Sequence, residues 1–181
     1  MTTPAFIGSA CMRALRQAAV LCVAACTLPA LAQYADLDRA DWKEDAVPPP
    51  PAYSTSRLIE IDMPRSSSVK MGIDPDTIAL NHDTGIVRYV VVARGPSALN
   101  ATYEGIRCAT GEYRIYARQV QGSEWTPNPD QDWKSMRGQS RVMVTHPYQL
   151  ARGGLCIGTA LRQSAADMVR ELRTGNRSLY Y

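Results

Sequence analysis

Asn100-Ala101-Thr102-Tyr103-Glu104-Gly105-Ile106-Arg107-Cys108, followed by Glu112-Tyr113-Arg114-Ile115-Tyr116-Ala117, reads as two strands folded back on each other around Thr110-Gly111. Side chains alternate along a strand, so the length of the turn decides which of them share a face. A two-residue loop at Thr110-Gly111 pairs Cys108 with Tyr113, Ile106 with Ile115, Glu104 with Ala117 and Arg107 with Arg114. That register sorts Cys108, Ile106, Tyr113, Ile115 and Ala117 onto one apolar face. A three-residue loop instead mixes Cys108 and Ile106 with Glu112, Arg114 and Tyr116, so the sorted register is the one expected. It sets Tyr116 over the bare backbone of Gly105 and gathers Tyr103, Arg107, Arg114, Tyr116 and Arg118 on the outer face. Arg107 opposite Arg114 is unfavourable unless an anion sits between them, and either Glu112 or an anionic ligand fills that role. Glu104 points inward, where a carboxylate needs a partner. A buried Glu–Arg pair is expected, with a catalytic acid as the alternative.

The neighbouring segments extend the sheet. Ile86-Val87-Arg88-Tyr89-Val90-Val91-Val92-Ala93 is β-branched and apolar on both faces, the mark of a central strand. Gly95-Pro96 ends it. Leu58-Ile59-Glu60-Ile61-Asp62 alternates apolar and charged residues. Residues 122–139 hold Trp125, Trp133 and two prolines with little periodicity, and read as a loop or an irregular strand pair. Residues 146–152 read as one or two helical turns halted by Gly153-Gly154. Thr159 is expected to cap a helix that runs to Thr174 and stops at Gly175. Leu161, Ala165, Met168, Val169 and Leu172 form its apolar stripe. The expected fold is α+β: an antiparallel sheet of about four or five strands with a C-terminal amphipathic helix packed on one face.

The N-terminus sets the compartment. Arg13 and Arg16, the apolar run 18–26 and Ala30-Leu31-Ala32 have the order of an export signal removed near Ala32, which predicts a periplasmic protein. Val23-Ala24-Ala25-Cys26 offers a rival, a lipobox that would anchor the chain through a lipidated Cys26. With residues 1–32 removed, Cys108 and Cys156 have a single intramolecular pairing, which an oxidising compartment favours. Closing that loop is worth about 4 kcal/mol on the chain-entropy model. The chain's 20 basic and 17 acidic side chains become nearly balanced once Arg13 and Arg16 are lost, which argues against a nucleic-acid partner. No second apolar run reaches membrane-spanning length. Residues 33–56 are acidic and then proline-rich, with Glu44, Asp45 and Pro48-Pro49-Pro50-Pro51. They read as an extended strap or spacer leading into a single domain at 57–181, or as a docking peptide for a proline-reading partner.

Val87-Arg88-Tyr89, Gly95-Pro96-Ser97 and above all Tyr103-Glu104-Gly105-Ile106-Arg107-Cys108 with Glu112 to Ala117 resemble the CNP1-like family of short exported proteobacterial proteins. Trp42-Lys43-Glu44 with the proline run, and a second Cys near the C-terminal end, are similar to the family pattern. Arg152-Gly153-Gly154-Leu155-Cys156 departs from the Tyr-Phe-Cys-Pro version of that end. The resemblance runs from about Asp41 to the C-terminal helix. It implies an exported domain with those boundaries and brings no activity with it.

Other candidate sites are weaker. Asp74-Pro75-Asp76 and residues 81–85 cluster oxygen ligands, but Ile78, Ala79 and Gly85 break the EF-hand order, and 81–85 reads as a turn. His82 and His146 lack zinc-ligand spacing, so neither a metal nor a cofactor is expected. No nucleophile elbow supports a Ser–His–Asp triad. Trp125 and Trp133 either stack on glycans or plug the core. Three functions follow from these residues. The first is a non-catalytic module that binds an anionic envelope ligand or an envelope protein through Tyr103, Arg107, Arg114, Tyr116 and Arg118. The second is a hydrolase or lyase using Glu104 with His82 or His146. The third is a lipid-anchored accessory of an outer-membrane complex.

Overall fold

The computed structural model describes residues 41–63, 68–137 and 145–178; the segments read as an export signal and as a rival lipobox lie outside them. Strands follow in the order β1 (Ile59–Ile61), β2 (Lys70–Ile73), β3 (Ala79–Asn81), β4 (Ile86–Arg94), β5 (Leu99–Arg107), β6 (Glu112–Val120), β7 (Thr126–Pro127) and β8 (Lys134–Ser135). Helix α1 (His146–Leu150) then runs into a π-helical turn at Ala151–Leu155. A short ribbon of β9 (Cys156–Ile157) and β10 (Ala160–Leu161) leads to α2 (Ala165–Ser178).

Among the described residues the main sheet has eight strands, in the order β1-β2-β4-β5-β6-β7, with β3 also beside β4 and β8 beside β6. All the pairings are antiparallel. The expected four or five strands are therefore too few. The additional strands are mostly two or three residues long, too short to display a period of two, and take their ladder from longer neighbours. Residues 122–139 supply two of them, β7 and β8.

Strand β4 is the spine, buried from Ile86 through Val92. Val87, Tyr89 and Val91 enter a core with Ile106, Leu150, Leu155, Met168 and Leu172, under the helical layer. Val90 and Val92 enter a second core with Ala101, Tyr103, Tyr116 and Ala117, which Tyr53, Leu58 and Trp125 also touch. Each such side chain contributes roughly 1.5–3 kcal/mol by leaving water. Two apolar faces on one strand explain why β-branched residues stand on both of them, Val87 and Val91 on one and Val90 and Val92 on the other.

The hairpin register differs from the expected one. Arg107 pairs with Glu112, Ile106 with Tyr113, Gly105 with Arg114 and Glu104 with Ile115. The turn spans 108–111, closed by the Gly111 N–H donating to the Arg107 carbonyl at 3.1 Å, with Gly111 at φ +68°. A turn two residues longer than expected keeps the parity, so Cys108, Ile106, Glu104, Tyr113 and Ile115 still share a face. The Arg107–Arg114 opposition disappears. A bulge between Glu104 and Tyr103 leaves Tyr116 outside the pairing; beyond it Tyr103 faces Ala117 and Thr102 faces Arg118. Ala117 therefore joins the Tyr103 face and Arg118 the Glu104 face, the reverse of the expected placement. Tyr116 does cover Gly105, where an added Cβ would run into its ring and hydroxyl.

Helix α2 begins later than expected. Thr159 belongs to the β9–β10 turn, where Gly158 has φ +59°. The cap is Ser164, whose Oγ accepts from the Asp167 N–H at 3.1 Å and donates to the Asp167 carboxylate at 2.8 Å. Gly175 does not stop the helix; a Cβ there would lie 2.8 Å from the Gly153 carbonyl oxygen. Its role is close approach. The Cys108–Cys156 disulfide, with Cα atoms 5.8 Å apart, ties the hairpin turn to β9 and so joins the sheet to the helical layer.

Candidate functional site

The chain before β1 crosses the second face of the sheet as a strap. Trp42 donates its indole N–H to the Thr84 carbonyl at 3.0 Å and lays its ring on the Arg107 guanidinium, 3.9 Å from the ring centroid. Trp133 meets Trp42 edge-on at 5.9 Å, so the two Asp-Trp-Lys triplets of the sequence bring their rings together. Further along, the Tyr53 hydroxyl donates to Gln119 Oε1 at 2.6 Å and its ring packs edge-on against Trp125. Both tryptophans therefore serve as packing rings here.

Between these anchors lies a carboxylate cradle. Glu44 Oε1 accepts from Arg88 Nη2 at 2.9 Å and from the Tyr116 hydroxyl at 2.5 Å, and Oε2 accepts from Arg114 Nη1 at 2.7 Å. Asp45 takes a second bond from Arg88 at 2.6 Å. Burial opposes the charge on Arg88, but its hydrogen bonds to Asp45 and Glu44 outweigh it and hold that guanidinium above its ordinary range. The hydrogen bond from Arg88 pulls Asp45 below the usual carboxylate value. Burial first, and then the Glu44 carboxylate, push Tyr116 well above a normal phenol. The Nε–H groups of Arg88 and Arg114 are buried and make no hydrogen bond.

The face expected to lie open is thus covered. Tyr103 (3 % exposed), Arg107 (8 %) and Tyr116 (6 %) are buried, and Arg114 is half-buried. Arg118 is exposed on the opposite face, bonded to Asn128 at 2.9 Å. The anion among the arginines is Glu44, supplied by the strap. Arg88 and Glu44 were absent from the expected set. The available signal was an arginine inside an otherwise apolar central strand, which has to meet a negative group somewhere.

On the helical face Glu104 is fully buried, as its parity requires. Its partner is a histidine rather than the expected arginine. His146 Nε2 lies 2.9 and 3.0 Å from the two carboxylate oxygens, Thr102 Oγ1 donates to Oε1 at 2.6 Å, and the Tyr89 hydroxyl reaches Oε2 at 3.4 Å. Burial works against a charge on His146, but the Glu104 carboxylate prevails and raises its pKa above the ordinary value. Burial, reinforced by the same carboxylate, drives Tyr89 far upward. The His146 side chain keeps 19 % of its surface exposed, and no hydrogen bond to its Nδ1 is made among the described residues. His82 is exposed on the β3–β4 turn, where it lines a depression with Asp45 and Arg88 rather than with Glu104.

The acidic turn residues are structural. Asp74, 1 % exposed, accepts from the Ser54 and Asp76 N–H groups and so joins the strap to the turn before β3. Asn81 accepts from the Asp83 and Thr84 N–H groups, the side-chain turn expected for 81–85.

No helix among the described residues is long and apolar enough to cross a membrane. Compared with known proteins, the chain matches no curated protein and no solved structure. A family model does match, over residues 37–173, which takes in the strap, the sheet, the disulfide and most of α2. The chain belongs to the CNP1-like family.

Proposed function

We propose that the chain is a small binding module of the cell envelope, exported to the periplasm by cleavage after Ala32. In this reading an anionic envelope ligand, or a carboxylate of an envelope protein, competes with Glu44 for the cradle of Arg88, Arg114 and Tyr116. One observation carries it: the cradle already grips a carboxylate with two guanidiniums and a phenol, and two buried Nε–H donors are left over. Buried donors in native proteins are nearly always met, so the surplus is capacity for a larger anion. Tyr103 and Arg107, on the same strand face, complete the surface, and Arg118 drops out of it.

Glu44→Ala empties the cradle in a chain that keeps the rest of the strap. About 100 mM propionate should then raise the melting temperature of this variant by binding to its native state. It should leave the Glu44→Ala/Arg114→Ala double variant no better off than sodium chloride of equal ionic strength does. A single variant indifferent to propionate removes the reading. The export half has its own test: the mass of the chain purified from the envelope should begin at Gln33. A lipidated Cys26 would favour the membrane-anchored accessory instead.

A second reading, hydrolase or lyase, draws on His146, whose Nε2 is held by Glu104 while Nδ1 is left for a water molecule. Hydrolysis of p-nitrophenyl acetate that is lost in His146→Ala and kept in Arg152→Ala would support it. Equal background rates in all three proteins would dismiss it.

A further inference from the structure

A cleft of about 670 Å³ opens beside the disulfide, on the side of the molecule away from the cradle. The hairpin turn 108–111 forms one wall, Tyr148 and Arg152 another, and Met136 and Arg137 a third, with Cys156 and Thr159 closing it. Met136 is held in place because its N–H donates to the Gly111 carbonyl at 3.0 Å and its carbonyl accepts from Thr145 Oγ1 at 2.7 Å. The floor is apolar: Met136, Ala151 and the bridged sulfurs are all buried.

Its polar side is one-sided. Arg137 and Arg152 line the cleft, and no Asp or Glu among the described residues does. Arginines 57, 88, 114, 162 and 170 each meet a carboxylate, whereas the guanidiniums of Arg137 and Arg152 make no ion pair among the described residues. Arg152 is held over the Tyr148 ring, 5.7 Å from its centroid. Thr110, in the same lining, has a buried hydroxyl with no hydrogen-bond partner. In a chain whose charges are otherwise nearly balanced, two unpaired cations over an apolar floor with a spare hydroxyl form a complementary surface for one chemistry. The volume is within the range of sites for small organic molecules.

We propose that this cleft binds a small amphiphilic anion, a phosphate or carboxylate carried on an apolar body. The anionic group sits between Arg137 and Arg152 with the Thr110 hydroxyl as a further partner, and the apolar body lies against Met136 and the disulfide. The site is independent of the Glu44 cradle.

Octyl phosphate, kept below its micelle concentration, is the probe, titrated calorimetrically into the mature chain. It should bind at one site. Arg137→Ala/Arg152→Ala should weaken it at least tenfold, and Thr110→Val by a smaller factor, with the melting temperatures of the unliganded variants close to that of the parent because both arginines are exposed. Octyltrimethylammonium, with the opposite charge, should not bind. Equal affinity in parent and double-arginine variant overturns the proposal, and so does equal binding of the cation. Binding to phosphatidylglycerol vesicles without binding of monomeric octyl phosphate also overturns it, since the ligand would then be a lipid surface. Glu44→Ala should leave octyl phosphate binding unchanged, and the double-arginine change should leave propionate rescue unchanged, so either site can fail without the other.

Discussion

Glu44 is the residue on which the strap's electrostatics turn. Its side chain is 9 % exposed and that of Arg88 6 %, so removing the carboxylate strands buried positive charge rather than trimming a surface pair. Breaking a buried pair costs about 3–5 kcal/mol, against 0–1 for an exposed one. Asp45 still serves Arg88, so Glu44→Ala should lose about 3 kcal/mol in a urea melt, the low end of that range. A loss below about 1 kcal/mol would mean that water already screens the cradle. His146 makes a second case, with a sign that can be worked out. Its folded pKa is raised above the unfolded value, so the pair contributes fully below about pH 6.5 and loses that contribution as pH climbs through the folded pKa. The stability gap between the parent and His146→Gln should therefore be larger near pH 5.5 than near pH 8.5. A gap that widens with pH would reverse the assignment. That Glu104 faces inward was legible from alternation alone. Its partner was not, because His146 lies 42 positions away and nothing local links the two.

Elements were legible wherever a pattern ran long enough to repeat. Strand β4 announced itself by apolar, largely β-branched residues on both faces, and β6 runs from Glu112 to Val120 as its sequence suggested. The hairpin register failed for a different reason. Face parity survives a two-residue change of turn length, so sorting apolar from polar side chains cannot separate a two-residue loop from the 108–111 turn. The bulge at Tyr116 then switched faces for everything beyond it, and no composition signal marks a bulge. Helix α2 misled through glycine, whose ordinary meaning near a helix end is a stop. Here Gly175 is needed because the helix backbone sits on the Gly153 carbonyl. Gly175→Ala thus sets two effects against each other: about 1 kcal/mol gained from helix propensity and about 1–3 lost to overpacking. With the clashing atom a backbone oxygen at 2.8 Å, which cannot rotate away, overpacking should win. The variant should melt at lower urea than the parent, and a higher midpoint would show that the helix can lift off the π turn at little cost.

At the scale of the whole molecule, three layers share one sheet: the strap, the strands, and the helices with their π turn. The disulfide is the covalent tie between the second layer and the third. Its existence was legible because only two cysteines remain outside residues 1–32, but what it joins was not, since that depends on β9 lying beside the hairpin turn. The bridge closes a separation of 48 residues, for which the chain-entropy model gives about 4 kcal/mol. Against a domain stability of roughly 5–15 kcal/mol this is a large share. Cys108→Ser/Cys156→Ser should cost about 2–4 kcal/mol and leave a folded chain with a lower melting temperature. The loss should also be uneven. Strands β4 and β5 pair along their whole length and carry both cores, whereas residues 145–178 meet the sheet layer through side-chain packing, the His146–Glu104 and Thr145–Met136 hydrogen bonds and this one covalent bond. Amide exchange in the double variant should therefore quicken in α1, the π turn and α2 well before it quickens in β4. Uniform acceleration across both layers would mean that the disulfide acts only on the unfolded chain and does not hold the helical layer in place.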